Sequence, residues 1–194
     1  MSIEIFIARH GQTQWNKQYR LQGQHDSPLT SVGVEQSNYL GQQLKQLAPT
    51  SIYSSDLGRA VQTATIANQH LNLPLQTHIS LRERHFGLLQ GKSIKVNSKF
   101  YPTYQQRLSK PNKSVAGMET ELHVRQRIQE FVQQLSQLNE NRVAVICHGE
   151  WMRILCESLK QQTSTSDTST LLTTVPDNGQ VLHLSYQGGN IVHH

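Results

Sequence analysis

Near its start the chain carries a short apolar run, IEIFI at residues 3–7, broken only by one glutamate. β-Branched and aromatic side chains in a run of this length predict a buried strand. RVAVIC at 142–147 predicts a second. Shorter strands are expected in TSIYSSD, at about residues 51–54, and in QVLHLSY near the end of the sequence. Between these runs the apolar period lengthens to that of a helix. In SPLTSVGVEQSNYLGQQLKQL, Leu40, Leu44 and Leu47 recur at helical spacing behind Thr30 or Ser31 as N-cap. DLGRAVQTATIANQHL predicts a second helix, with Asp56 as N-cap and Leu57, Val61 and Ala64 on one face. A third covers about 118–138, where Val124, Ile128, Phe131, Leu135 and Leu138 alternate by four and three into one amphipathic stripe. EWMRILCESL predicts a fourth, and a polar loop, TSTSDTST, precedes the last strand. Strands alternating with helices imply an α/β fold, its sheet largely parallel and covered on both faces. Residues 92–116 are polar and weakly periodic, and read as an insertion over one end of that sheet within a single domain, 1–194.

The bulk numbers narrow the function classes. A chain of 194 residues suits one α/β domain with a substantial core. Its net charge of +5 and pI of about 9.4 favour anionic ligands. The cations are scattered, with no basic block and no interleaved aromatics, which points to a small anionic substrate and away from nucleic acid. Cys147 and Cys156 fall in an apolar segment and are expected as buried free thiols. No run reaches membrane-spanning length, and Glu4 and Arg9 interrupt any signal-peptide pattern, so a cytoplasmic location without a membrane partner is expected. None of the ten histidines sits in a metal-ligand motif, so no metal site is expected. His193 and His194, a native tail or the remnant of a tag, are left out of any site.

Three strand-to-helix junctions carry basic groups: ARHG, SSDLGRA and CHGE. Ligands of open α/β sheets sit beyond the carboxyl ends of the strands, which places Arg9, His10, Arg59 and His148 at one edge. Arg9 disfavours a charge on its neighbour, so His10 should stay neutral, with a lone pair suited to attack on a phosphate ester. Taken by themselves these residues also fit a solvated turn, in which Gly11 frees the backbone. Arg59 falls in the first turn of its helix, where free N–H groups and the dipole favour an anion and a guanidinium could hold a phosphoryl group by two bonds. An alkoxide leaving group needs an acid. Glu83, between Arg82 and Arg84 in SLRERHFGLLQG, is either that acid or a surface ion-pair partner, and the segment alone leaves both open. Glu150, just after CHG, is the next carboxylate to consider.

In chain order, RHGQTQWN, LQGQHDSPLTSVG, YSSDLGRAVQTA, LRERHFGLLQG, METELHVRQR and VICHGEWMR resemble the motifs of the histidine phosphatase superfamily, on its phosphoglycerate-mutase-like branch. They extend from residue 7 to about 153. The resemblance implies a three-layer α/β/α sandwich around a mostly parallel sheet. It implies His10 as the nucleophile that forms a phosphohistidine, and Arg9, Arg59 and His148 as holders of the phosphoryl oxygens. Glu83 would protonate the leaving group and then draw a proton from water. Asn16 matches a position near the phosphate pocket, and Gln22 and Gly23 match the substrate-side loop. Cations around the developing oxygen charge can carry phosphoryl transfer with no metal and no cofactor.

Members of this branch include mutases and phosphatases, and three departures favour hydrolysis. Phe86 stands where the mutases have tyrosine, and Gln105 and Gln106 stand where they have paired arginines, whose charge and fork glutamine cannot replace. The sequence also stops soon after its last strand, where mutases continue into a tail that keeps water out of the site. A metal-independent phosphomonoester hydrolase of a small phosphorylated substrate, monomeric or homodimeric, is therefore expected. Sugar phosphates, phosphoglycerates and α-ribazole phosphate all suit it. A cofactor-dependent phosphoglycerate mutase and a non-catalytic phospho-ligand module are the alternatives. Lys92, Lys95, Arg107, Lys110 and Lys113 either read a second anionic group or form a solvated basic face.

Overall fold

The computed structural model describes residues 2–138, 140–162, 175–187 and 190–193. Strand β1 (Ser2–Arg9) runs parallel to β4 (Arg142–Cys147), with Ile5 opposite Val143 and Arg9 opposite Cys147. β2 (Ser51–Ser55) lies parallel to β4 on its other side, and β3 (Leu75–His78) parallel to β2. β5 (Val181–Gln187) pairs antiparallel with β1, and β6 (Asn190–His193) antiparallel with β5. The six strands stand in the order β3-β2-β4-β1-β5-β6, a mostly parallel sheet.

Period-two alternation sorts the strand side chains between two cores. Ile5, Ile7, Val143, Val145 and Tyr53 face α5 (Glu121–Gln137) and α6 (Gly149–Gln162), meeting Val124, Phe131, Trp151 and Leu155. Phe6, Ala8, Ile52, Ala144 and Ile146 face α2 (Ser31–Leu47) and α3 (Gly58–Asn68), meeting Leu40, Leu44, Ala60 and Ala64. Helices thus cover both faces, and the result is the expected α/β/α sandwich. Among the described residues no helix is long and apolar enough to cross a membrane.

Several local expectations change. Thr30 caps α2 through a bond from the Gly33 N–H. Asp56 does not cap α3, whose N-cap is Leu57 without a side-chain bond. The third predicted helix begins three residues late, capped by Thr120, and Leu138 is its extended, exposed C-cap instead of a core residue. TSTSDTST, at 163–170, lies outside the described residues. β3 escaped the apolar-run criterion because LQTH is a polar, half-exposed edge strand. The 92–116 segment contains α4 (Tyr101–Ser109) and builds a small core of its own. In it Ile94, Phe100, Tyr104 and Val115 pack on buried Leu21, Phe86, Leu89 and Met118.

Candidate active site

The register of β1 against β4 sets two histidines side by side. One residue past the Arg9–Cys147 pair, the His10 N–H donates to the Cys147 carbonyl at 3.0 Å, and the His10 and His148 rings lie 5.1 Å apart. His10 Nδ1 bonds the Gly11 carbonyl at 2.8 Å. A carbonyl only accepts, so Nδ1 carries the proton and Nε2 keeps its lone pair, which receives Arg59 Nε–H at 3.1 Å. Burial, then the charges of Arg59 and Arg9, hold the His10 pKa well below 6.5 against the opposing Gly11 bond. Burial, Arg59, His10 and Arg9 do the same to His148. The neutral imidazole expected at His10 is what the surroundings enforce.

Gly11 is needed for space. Its φ is not positive. A Cβ there would sit 2.4 Å from the Gly33 carbonyl oxygen, and one on Gly33 would sit 2.1 Å from that of Gln12. Two glycines let the end of β1 press against the first turn of α2, while Gly11 N–H donates to Thr63 Oγ1 on α3. The histidine is thereby fixed between two helix starts.

Arg59 is anchored just as firmly. Its Nη1 donates to the His25 carbonyl at 2.8 Å and to Asp26 at 2.9 Å, and its Nη2 donates to the Gly23 carbonyl at 2.7 Å. The two-bond grip on a phosphoryl group is therefore already occupied by protein oxygens, and an anion would have to share Arg59 with them. Asp26 also accepts the Gly58 and Arg59 backbone N–H groups, at 2.7 and 3.2 Å, which satisfies the N-terminus of α3 from another loop. Asp56 instead holds Arg82 by two bonds, of 2.7 and 2.5 Å.

Glu83 is no surface ion-pair partner. It is buried, and its carboxyl accepts backbone N–H bonds from Arg84 at 2.9 Å, Trp151 at 3.2 Å and Glu150 at 3.3 Å, against the start of α6. Burial and the charge of Glu150 raise its pKa, and Arg59 and the backbone bonds only partly offset this. Glu150 shows the reverse balance. Burial opposes its charge, but Arg107, Arg153 and Arg84 outweigh it and hold the carboxyl below its ordinary range. Of these two neighbouring carboxyls, Glu83 has the higher proton affinity.

Arg9, His10, Asn16, Gln22, Gly23, Arg59 and Glu83 line one cavity of about 260 Å³, and His148 packs against His10 without joining its wall. Buried polar groups are normally hydrogen-bonded, yet Arg9 Nε, Gln22 Oε1, Arg107 Nε and both His148 ring nitrogens have no hydrogen-bond partner in the protein; Arg107 Nε meets Glu150 as an ion pair only. Asn16, in the short helix α1 (Gln14–Lys17), is held at the wall by a reciprocal cap, its Oδ1 accepting from Thr13 N–H and Oγ1, each at 3.0 Å. Arg20, Ile94, Tyr104, Glu150 and Arg153 also line the cavity, with no role foreseen for Arg20 or Arg153. Arg153 lay inside the VICHGEWMR motif, where its three-residue spacing from Glu150 was the available signal. Of the basic residues in 92–116, Arg107 turns onto Glu150 at 3.2 Å and over the Tyr104 ring at 3.8 Å. Lys92, Lys95, Lys110 and Lys113 are exposed, and Gln105 and Gln106 lie outside the cavity lining.

The family model of the histidine phosphatase superfamily (branch 1) matches residues 5–193. A Yersinia pestis protein named as a probable phosphoglycerate mutase is 41% identical over 92 residues, 47% of this chain and 43% of that protein. The matched stretch thus spans less than half of that curated relative. Among solved structures, a Bacillus anthracis phosphoglycerate mutase aligns with a TM-score of 0.83 at 25% identity, over 100% of this chain and 92% of that one. A mycobacterial glucosyl-3-phosphoglycerate phosphatase aligns with a TM-score of 0.78, also at 25% identity, over 98% and 93% of the two chains. With its motifs gathered at one sheet edge and the family model matched over nearly its whole length, the chain belongs to branch 1 of the histidine phosphatase superfamily.

Proposed function

We propose that this protein is a metal-independent phosphomonoester hydrolase that acts on a small phosphorylated metabolite through a phosphohistidine. The observation that carries this reading is the pairing of a neutral His10, its Nε2 lone pair in a cationic cavity, with a buried carboxyl of raised proton affinity on the same cavity wall. His10 Nε2 gives up its bond from Arg59 Nε–H, which turns to the phosphoryl oxygens, and attacks phosphorus as the ester P–O bond breaks, while Glu83 gives its proton to the departing oxygen. Arg9, Arg59 and His148 hold the phosphoryl oxygens, where charge develops in the transition state. Water then attacks the phosphohistidine while the Glu83 carboxylate takes its proton, which releases phosphate and restores both groups. Asn16 borders the phosphoryl group, and Gln22 and Gly23 border the rest of the substrate.

Hydrolysis is favoured over mutase transfer by what the wall presents to a substrate. Phe86 offers a ring without a hydroxyl, Gln105 and Gln106 stand outside the lining, and Arg107 is committed to Glu150. The names of two relatives keep the mutase reading as the competitor. A panel of phosphomonoesters assayed in EDTA, together with 3-phosphoglycerate primed by 2,3-bisphosphoglycerate, separates the two. Phosphate release in EDTA with an acid-labile phosphoenzyme is the expected result. Release that requires added Mg²⁺, or phosphoglycerate isomerisation that outruns release, would overturn it.

A further inference from the structure

The two carboxyls at the start of α6 are coupled, and the coupling reaches the variable wall. Glu150 lends its own backbone N–H to Glu83 Oε2 at 3.3 Å. Its side chain takes Arg153 at 2.8 and 3.1 Å, Arg107 at 3.2 Å and Arg84 at 3.5 Å. These cations are not equally free to neutralise it. Arg153 is shared with Glu121 at 3.2 Å and Glu157 at 2.7 Å. Arg84 also donates to the carbonyls of Glu119 and Pro111. Arg107 has no other carboxylate among the described ion pairs, and of the three it alone comes from α4, where it stacks on cavity-lining Tyr104.

We infer that Glu150 is a positioning residue for the proton on Glu83, and that Arg107 of α4 sets how strongly it acts. This rests on Glu83 being the acid of the proposed reaction. An ionised Glu150 in a buried, low-dielectric setting opposes a second negative charge on Glu83. Arg59 from α3 acts against it, as do the backbone N–H bonds from Arg84 and from Glu150 at the start of α6. Cys147 at the end of β4 and Tyr104 on α4 have their ionisation suppressed by burial, and His10 and His148 are held neutral. Arg107 partly cancels the Glu150 charge, so any displacement of α4 that loosens this pair tightens the hold of Glu83 on its proton. A substrate that rests on Tyr104 thus touches the segment that tunes the acid.

The test reads Glu83 directly. Protein carrying 13C-labelled glutamate carboxyls is titrated by NMR, with Glu83→Gln to assign the signal, and the alkaline limb of phosphoenzyme formation from an alkyl phosphate is followed in parallel. Glu150→Gln keeps the shape and removes the charge, so the Glu83 titration and the alkaline limb should both move to lower pH, by about one unit. Arg107→Ala should move both to higher pH, and Arg107→Lys, which keeps the charge, should stay near the parent. Simple loosening would admit water and lower the Glu83 pKa in both variants, so opposite signs exclude a merely structural effect. A Glu83 titration that is unmoved, or that moves downward in Arg107→Ala, overturns the inference, and that variant decides it even if Glu150→Gln does not fold. Failure of the underlying reading shows separately, as Glu83→Gln leaving alkyl phosphate turnover unchanged.

Discussion

The cavity has two walls built on different principles. The histidine wall stands on the sheet: His10, backed by His148, follows β1 where it pairs with β4, and Gly11 and Gly33 let the end of β1 press against α2. The opposite wall, from residues 92–116, stands on a small satellite core around Phe86 and Met118 and carries mostly exposed lysines. Sheet register fixes the first, whereas side-chain packing, the Arg107–Glu150 pair and a few backbone bonds, such as Ile94 N–H to the Tyr19 carbonyl, hold the second. Such a division lets the reacting groups stay rigid while the substrate-facing wall varies.

Breaking the histidine wall should cost the most. His10→Ala should reduce phosphate release by about 10⁴-fold or more, since removing a nucleophile removes the whole covalent route. The urea-unfolding midpoint should hardly change, which separates lost chemistry from lost fold. An active His10→Ala protein would mean that the nucleophile lies elsewhere.

Next comes the acid. Glu83→Gln should slow phosphoenzyme formation from alkyl phosphates by about 10²–10⁴-fold. Formation from p-nitrophenyl phosphate, whose leaving group needs little protonation, should slow much less. Rapid-quench bursts are the proper readout, because steady-state rates include the water step, where the same carboxylate acts as base. Equal losses on both esters would reduce Glu83 to a shaping role.

Two glycine substitutions sharpen the contrast between the walls. Gly33→Ala forces a Cβ to 2.1 Å from the Gln12 carbonyl and should destabilise the fold by about 1–3 kcal/mol while lowering turnover of every ester. Gly87→Ala strains the other wall, since Gly87 has φ +52° and a Cβ there would meet the Ala116 carbonyl at 2.1 Å. Its effect should appear as a raised KM for bulky substrates, with p-nitrophenyl phosphate turnover within about twofold of the parent. If both variants lose activity on all esters alike, the walls are not independent.

A last effect, with none on the chemistry at neutral pH, is on pH-dependent stability. Folded His10 and His148 have pKa values well below 6.5, so below pH 6.5 the unfolded chain binds protons that the folded one refuses. Their contribution is fully present above pH 6.5 and is lost as pH falls, by up to about 1.4 kcal/mol per pH unit for each histidine. Urea midpoints between pH 7 and 5 should show this slope, and His148→Gln should remove about half of it. An unchanged slope in His148→Gln would place the linked protons elsewhere.

The sequence by itself determined the layered sheet and the edge at which its basic residues meet. Period-two and period-3.6 patterns are local, and a histidine one residue beyond an apolar strand has one place to go once that strand is buried. Arg9, His10, Arg59 and His148 could therefore be placed together from their positions alone. Tertiary structure decided what the neighbours of those residues do. The cap of α3 comes from Asp26 on another loop instead of Asp56 beside it. Gly11 serves a close approach to Gly33, which no local pattern encodes. Glu83, between Arg82 and Arg84, and Glu150, between Gly149 and Trp151, come to differ in proton affinity only when packing sets them together across a separation of 67 residues. The weakly periodic insertion likewise rests on distant partners, with Phe100 and Tyr104 against Leu21, Phe86 and Met118 and Ile94 N–H bonded to the Tyr19 carbonyl. Electrostatic character depends on burial and on partners distant in the chain, and these exist only after the fold has formed.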